Sequence, residues 1–344
     1  MKNIAINGLG RIGRLVLRQY MSNQSNDVDI VAANDLTPID DLAYLIRFDS
    51  VHGKVPYSVS FESDYIKLDS KKIKILKEKD PAKLNWKKLN VDIVLECTGL
   101  FRRREDAAKH ISAGASKVII SAPSESADLT IVQGVNENFY DPKKHHVISN
   151  ASCTTNSLAP VVKVLNDAFG IEHLLVTTVH AYTASQGLVD RSARKIRRGR
   201  AAAVSIIPTT TGAAKATGLV LPKLQNKMDA LAIRVPIPDG ALTDIVAELK
   251  SNATVEEINE AFRIASVGDL KGVLGYSEDE LVSADIIGDT HSGIVDGTST
   301  KVVDNKMVKV LVWYDNEFGY AKKLLELAEY ISKMSWFLRY SEKL

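Results

Sequence analysis

Gly8-Leu9-Gly10-Arg11-Ile12-Gly13 limits what this chain can fold into more than any other stretch. It follows a short apolar run, Ile4-Ala5-Ile6. It opens a segment at 11–21 in which Ile12, Leu15, Val16, Gln19 and Tyr20 recur at helical spacing. Strand, tight glycine turn and helix in that order begin a βαβ unit. The glycines permit the turn and the close approach of a pyrophosphate to the helix N-terminus, where free N–H groups and the dipole favour anions. Asp35 stands 22 residues past Gly13, after the next apolar run at 29–33. A carboxylate there accepts hydrogen bonds from an adenosine ribose. Three glycines at this spacing also make an ordinary turn, with Asp35 as a helix cap. The strand before and the helix after favour the dinucleotide reading.

The alternation continues through residue 150, with an apolar run at 92–97, a helical stretch at 103–113 and a strand at 117–121. It predicts βαβ units and a parallel sheet. Past Asn150 the texture changes. One helix carries Leu158, Val161, Val162, Leu165 and Phe169. Long extended runs follow at 173–182, 228–236, 242–249 and 307–314 with few helices between them, which predicts an antiparallel or mixed sheet. A last helix at 318–331 has Leu324, Leu325, Leu327, Ala328 and Ile331 apolar. The expected class is α/β: an N-terminal Rossmann-like parallel-sheet domain over 1–151, and an α+β catalytic domain with a mostly antiparallel sheet over 152–317. Helix 318–332 is expected to pack back on the first domain. The tail at 333–344 receives no role.

At 344 residues the chain is long enough for two cores. A net charge of +2 gives no global field for nucleic acid or membrane. No run of about 18 apolar residues marks a transmembrane helix, and no signal-peptide pattern precedes the first strand. The only cysteines, Cys97 and Cys153, make no disulfide framework. These features point to the cytoplasm. No Cys/His cluster has metal-ligand spacing, so no metal is expected.

Ala151-Ser152-Cys153-Thr154-Thr155-Asn156 lies where the first texture ends and a helix begins. A thiol at a helix N-terminus feels the positive end of the dipole, which favours the thiolate. Ser152 and Thr154 offer hydroxyls to a phosphate. Cys97 follows Val94-Leu95-Glu96 and reads as a buried filler. A thiolate needs a base. Of the seven histidines, His180 is the best candidate, because it ends the apolar run at 174–179. His52, His110, His145, His146, His173 and His291 read as surface residues. Spacing alone leaves the Cys153/His180 pair an open choice against a structural cysteine. Arg191, Arg194, Lys195, Arg197, Arg198 and Arg200 crowd one loop. A solvated or interface loop is the common case, and no aromatics interleave to stack bases. One or two of these arginines gripping a substrate phosphate is the favoured reading.

Taken with Asn7 to Arg14 and Ser149 to Asn156, the motifs Thr178-Val179-His180-Ala181-Tyr182-Thr183, Pro208-Thr209-Thr210-Thr211-Gly212-Ala213-Ala214-Lys215, Arg234-Val235-Pro236 and Trp313-Tyr314-Asp315-Asn316-Glu317 resemble the phosphorylating glyceraldehyde-3-phosphate dehydrogenase family over residues 2–332. The resemblance implies that Cys153 attacks an aldehyde and that His180 acts as its base. It implies that Asn316 holds the nicotinamide carboxamide, and that Thr183 and Arg234 bind the substrate C3 phosphate. Ser152, Thr154, Thr211 and Gly212 would bind inorganic phosphate, with Arg198 shared between the two subsites. Gly8, Gly10, Arg11, Ile12, Gly13, Asn34, Asp35, Thr98 and Gly99 would hold the cofactor. Ser192 would reach it from a neighbouring subunit of a homotetramer. The partners implied are glyceraldehyde 3-phosphate and inorganic phosphate. Nucleic acid is at most a second ligand, and no membrane is expected.

Some positions depart from the family pattern. Ser157 replaces a second cysteine that the family often has, so no disulfide can form there. Cys97 stands where a serine is usual. Asp35 is the NAD-type residue, because a carboxylate repels a 2′-phosphate. Arg191-Ser192 replaces the Leu-Pro of strictly NAD-dependent members, while Leu36 offers no hydroxyl. NAD with tolerance of NADP is the expectation. Val204, Gly240 and Ala241 also differ, with no mechanism attached. The sequence Val295-Asp296-Gly297-Thr298 leans toward the related erythrose-4-phosphate dehydrogenases, which stay as the alternative; the intact Thr211-Gly212 pair argues against them.

Overall fold

The structure, a computed structural model, describes residues 1–22 and 25–341 and divides into two compact units. The first comprises Met1–Ile131, Asn138–Ala151 and the chain from Ala321. The second comprises Val132–Glu137 and Ser152–Tyr320.

In the first unit, strands β1 (Lys2–Asn7), β2 (Val28–Asn34), β3 (Val59–Glu62), β4 (Tyr65–Leu68), β5 (Lys71–Leu76), β6 (Ile93–Glu96), β7 (Lys117–Ile120), β8 (Leu129–Thr130) and β9 (Val147–Ser149) form one nine-stranded sheet, ordered β3-β4-β5-β2-β1-β6-β7-β9-β8. The stretch from β5 to β8 is parallel, and β3 and β4 add an antiparallel edge. Its central strands read as continuous apolar runs because both faces are covered: Ile4, Ala5 and Ile6 are all buried. Helix α1 (Arg11–Ser22) buries Leu15, Val16, Leu17 and Tyr20, and α2 (Ile39–Arg47) buries Leu42 and Ile46. The stretch expected to be one helix at 103–113 is two single turns, α3 (Arg104–Ala107) and α4 (Lys109–Ser112), divided at Ala108.

In the second unit, α5 (Cys153–Phe169) precedes β10 (Ile171–Ala181). β11 (Ile207–Thr210), α6 (Ala213–Val220), β12 (Met228–Val235), β13 (Ala241–Leu249), α7 (Val255–Val267), β14 (Leu274–Ser277), β15 (Gly293–Val303) and β16 (Met307–Tyr314) follow. The seven-stranded sheet is ordered β11-β12-β10-β13-β16-β15-β14. It is mostly antiparallel, with β10–β12 and β14–β15 parallel. One face buries Leu174, Val176, Ile245 and Val310 in a core with Leu158 and Val162 of α5 and Phe262 of α7. The alternating burial along β13 follows from covering a single face.

Helix α8 (Phe318–Ser341) runs into the stretch read as a tail, whose last residues, 342–344, lie outside the described residues. From Ala321 onward it belongs to the first unit, with Leu324, Leu327 and Ile331 buried and the Ser332 hydroxyl donating to the Asp27 carbonyl at 3.0 Å. Among the described residues no helix is long and apolar enough to cross a membrane.

Candidate active site

Two features stand out, one in each unit. In the first, the chain leaves β1 at Asn7 and turns at Gly8, whose φ is +95°. A Cβ on Gly13 would lie 2.0 Å from the Gly8 carbonyl oxygen, so only glycine lets α1 close on the turn. A Cβ on Gly10 would meet nothing within 4 Å, so the N-terminus of α1 opens onto free space. A cleft of about 480 Å³ lies there, lined by Gly8, Gly10, Asn34, Asp35, Cys97 and Thr98, among others. Asp35 accepts the N–H groups of Leu9 at 2.7 Å and Thr37 at 2.9 Å, so it ties the glycine turn to the end of β2. The Arg11 side chain pairs with Asp49, which leaves its backbone N–H as its contribution to an anion. Ile12 begins α1, and Gly99 has a φ of +71° beside Thr98. The glycine turn, the bare helix N-terminus and the carboxylate at the strand end fit a dinucleotide.

Two expectations for this unit are corrected. His110, read as a surface residue, is fully buried, because its ring nitrogens face Trp86 and Glu96. Cys97, read as a buried filler, lies just beyond β6, has Ser121 as a hydrogen-bond partner and lines the cleft. Burial, with the Glu96 carboxylate adjacent, pushes its thiol up to about 12.

In the second unit, Ser152 caps α5, its hydroxyl accepting the Thr155 N–H at 3.1 Å. This cap puts Cys153 at the first helical position. His180, 4% exposed, sits one residue before the end of β10, and its Nε2 is 3.5 Å from Cys153 Sγ. β12 pairs with β10 in parallel, in a register that sets Arg234 opposite His180. Arg234 Nη1 is 2.6 Å from His180 Nδ1 and donates to the Ala181 carbonyl at 2.7 Å. His180 Nδ1 is itself 2.7 Å from that carbonyl. Donation from Nδ1 to the carbonyl leaves the Nε2 lone pair facing sulfur, as a base needs. Donation from Arg234 to Nδ1 puts the proton on Nε2 instead, as a partner for a thiolate.

Burial and the Arg234 charge push His180 down to about 3. Burial likewise raises the Cys153 thiol, against the pull of Arg234 and the Thr154 hydroxyl. The thiol is therefore raised despite its place at the helix N-terminus, contrary to the expectation from that position. Tyr314, which sequence reasoning left without a role, lies edge-on to the His180 ring. Its hydroxyl bonds those of Thr154 at 2.9 Å and Thr178 at 2.8 Å.

Among the remaining candidates, Arg198 is half-buried and donates from Nε to the Thr209 hydroxyl and from Nη2 to the Thr210 carbonyl. It is near enough to His180 and Arg234 to act on both charges. Thr211 accepts the Ala213 N–H, and Gly212 caps α6 with open space over its Cα. The Thr183 hydroxyl is 2.9 Å from that of Ser185. Ser192 is exposed on the basic loop. Asn316 is 5% exposed, and its Oδ1 has no partner among the described residues, which fits an amide-bearing ligand.

Comparison with known proteins bears on both units. Residues 2–104 match the NAD binding domain of glyceraldehyde 3-phosphate dehydrogenase, and residues 152–316 match its C-terminal domain. Glyceraldehyde-3-phosphate dehydrogenase of Geobacillus stearothermophilus is 54% identical over 329 residues, 96% of this chain and 98% of that protein. Glyceraldehyde-3-phosphate dehydrogenase 1 of Bacillus subtilis (strain 168) is 54% identical over 330 residues, again 96% and 98% of the two chains. The Streptomyces coelicolor enzyme is 52% identical over 329 residues, 95% and 98% of the two. With both units matched and half the residues shared along nearly the whole length, the chain belongs to the glyceraldehyde-3-phosphate dehydrogenase family.

Proposed function

We propose that this chain oxidises glyceraldehyde 3-phosphate, with inorganic phosphate and NAD, to 1,3-bisphosphoglycerate through a thioester on Cys153. The observation that carries the reading is the 3.5 Å approach of Cys153 Sγ to His180 Nε2, with Arg234 beside the same ring. Nothing in the comparisons favours erythrose 4-phosphate as the substrate.

Cys153 Sγ gives its proton to His180 and bonds the aldehyde carbon, and His180 passes that proton to the aldehyde oxygen to form the hemithioacetal hydroxyl. His180 Nε2 then takes the hydroxyl proton of the hemithioacetal while a hydride leaves the same carbon. NAD, when bound, supplies the hydride acceptor. The Cys153 N–H, at the start of α5, steadies the developing oxyanion. An oxygen of inorganic phosphate attacks the thioester, the carbon–sulfur bond breaks, and Cys153 is restored. Arg234 and Thr183 hold the C3 phosphate. Ser152, Thr154, Thr211 and Gly212 serve the inorganic phosphate, and Arg198 serves both. Because the Ser152 oxygen already accepts the Thr155 N–H and the Thr154 hydroxyl meets Tyr314, their contribution to the anion comes through O–H and backbone N–H donors.

Residues 1–151 with helix 318–332 form the dinucleotide-binding domain in this reading, and 152–317 form the catalytic domain. Asp35 favours NAD, and Ser192 gives tolerance of NADP. Leu175 on the sheet and Leu188, Ile196, Val204 and Ile206 around the basic loop are all more than half exposed, which supports burial in a homotetramer. The two free cysteines are consistent with a reducing cytoplasm.

Formation of reduced nicotinamide from glyceraldehyde 3-phosphate, with and without phosphate, tests the reaction. Phosphate-dependent turnover with NAD is expected. Turnover indifferent to phosphate, or seen only with erythrose 4-phosphate, would overturn it.

A further inference from the structure

Beneath the dinucleotide cleft lies a buried polar network centred on Glu96, a residue to which none of these roles gives a part. Glu96, at the end of β6, is 1% exposed, and its carboxylate gathers four donors. Asn7 Nδ2 reaches Oε2 at 2.6 Å, and His110 Nε2 reaches the same oxygen at 3.1 Å. The Thr98 N–H donates to Oε1 at 2.8 Å, and the Thr98 hydroxyl donates to it as well. Trp86 Nε1, which can only donate, bonds His110 Nδ1 at 2.9 Å. The His110 proton therefore sits on Nε2 and points at Glu96. Asn7 Oδ1 accepts from Asn34 Nδ2 at 2.8 Å. The Asn34 amide in turn exchanges two bonds, each 2.9 Å, with the Glu78 backbone.

The donors converge on one carboxylate from the end of β1, from the residues just after β6 and from α4. Asn7, Asn34, Glu78 and Thr98 all line the cleft. Thr98 also sets the floor beneath Gly8, since a Cβ there would come within 2.9 Å of it.

We propose that Glu96 is a positioning residue for the nicotinamide cofactor. It locks Thr98, Asn7 and Asn34 so that the cleft stands built before the adenosine half arrives, which lowers the ordering cost of binding. The inference rests on the reading that NAD enters the cleft of the first unit. Glu96→Gln keeps the shape and puts an amide donor among donors.

The test is calorimetric titration of NAD and of ADP-ribose into the full-length wild-type and Glu96→Gln proteins, with circular dichroism to confirm folding. Both dissociation constants are expected to rise about 10-fold. The KM for NAD should rise alike, with kcat at saturating NAD within about 2-fold of wild type and the KM for glyceraldehyde 3-phosphate unchanged. A folded Glu96→Gln protein with wild-type affinity, or one that loses kcat instead of affinity, overturns the proposal. If Glu96→Gln does not fold, Thr98→Val removes a single donor and should weaken both ligands about 3-fold; unchanged affinity overturns the proposal equally. Failure of the wild type to bind either ligand would instead overturn the assignment of the cleft, and the proposal with it.

Discussion

In the first unit, Asn7, Asn34 and Glu96 end neighbouring parallel strands, and their side-chain polar atoms find partners within the unit. In the second, Arg234 Nε and Asn316 Oδ1 are buried with no partner among the described residues, beside the 3.5 Å Cys153–His180 contact. A buried polar atom without a partner costs about 1–3 kcal/mol. The Asn7–Asn34–Glu96 network avoids that cost, and Arg234 and Asn316 bear it. The difference teaches what each pocket must do. A pocket for a tightly held, unchanging group is best finished in advance. A pocket whose occupant changes charge and bonding must keep donors and acceptors in reserve.

The contrast breaks most visibly at the nucleophile. Cys153→Ser should lower turnover by roughly 10⁴-fold or more while leaving the dissociation constant for NAD within calorimetric error. Loss of NAD binding in that variant would mean that the two pockets are not separable. His180→Asn should cost about 10²–10⁴-fold in kcat, read from steady-state rates; a smaller loss would assign the proton to another group. Arg234→Gln should raise the KM for glyceraldehyde 3-phosphate by roughly 10- to 100-fold, as for a charged hydrogen bond, and should do much less to the unphosphorylated aldehyde. Equal losses for the two substrates would remove the phosphate role. Gly13→Ala probes the prebuilt side. With a Cβ 2.0 Å from the Gly8 oxygen, it should destabilise the protein by at least about 2 kcal/mol in chemical denaturation.

A further effect is on stability against pH. His180 is held at about 3 in the fold against 6.5 when free. The unfolded chain therefore binds a proton that the folded chain refuses, and stability falls as pH drops from 6.5 toward 3. His180→Asn should flatten that part of the profile. An unchanged slope would assign the acid sensitivity to other groups.

Much of the site was legible because it rests on local rules. The glycine turn announces itself by strand, spacing and helix. Cys153 is marked by the cap residue before it, and His180 by its place at the end of an apolar strand. What sequence reasoning missed depends on contacts distant along the chain. Glu96 reads as the end of a strand and His110 as one polar residue in a helical stretch. Only the pairing of β1 with β6, and the packing of Trp86 against α4, shows them facing one another. Strands β3, β4 and β5 escaped because their short apolar runs alternate with lysines or other polar residues, as an edge exposed on one side allows. The parallel pairing of β10 with β12 is invisible in either segment, because register is a property of two strands.

That register carries a consequence for how such a chain can change over time. His180 and Arg234 are opposite partners in one ladder. Inserting or deleting a single residue within either strand, ahead of the pair, would turn one of the two side chains to the other face of the sheet. Substrate range can then drift by rewriting the loops around the pair, but no stepwise path slides the acid–base group past the arginine. In the proposed reading, the distance between the reacting carbon and the charged end of an acceptable substrate is thus an inherited quantity, written into backbone hydrogen bonds and shielded from side-chain mutation.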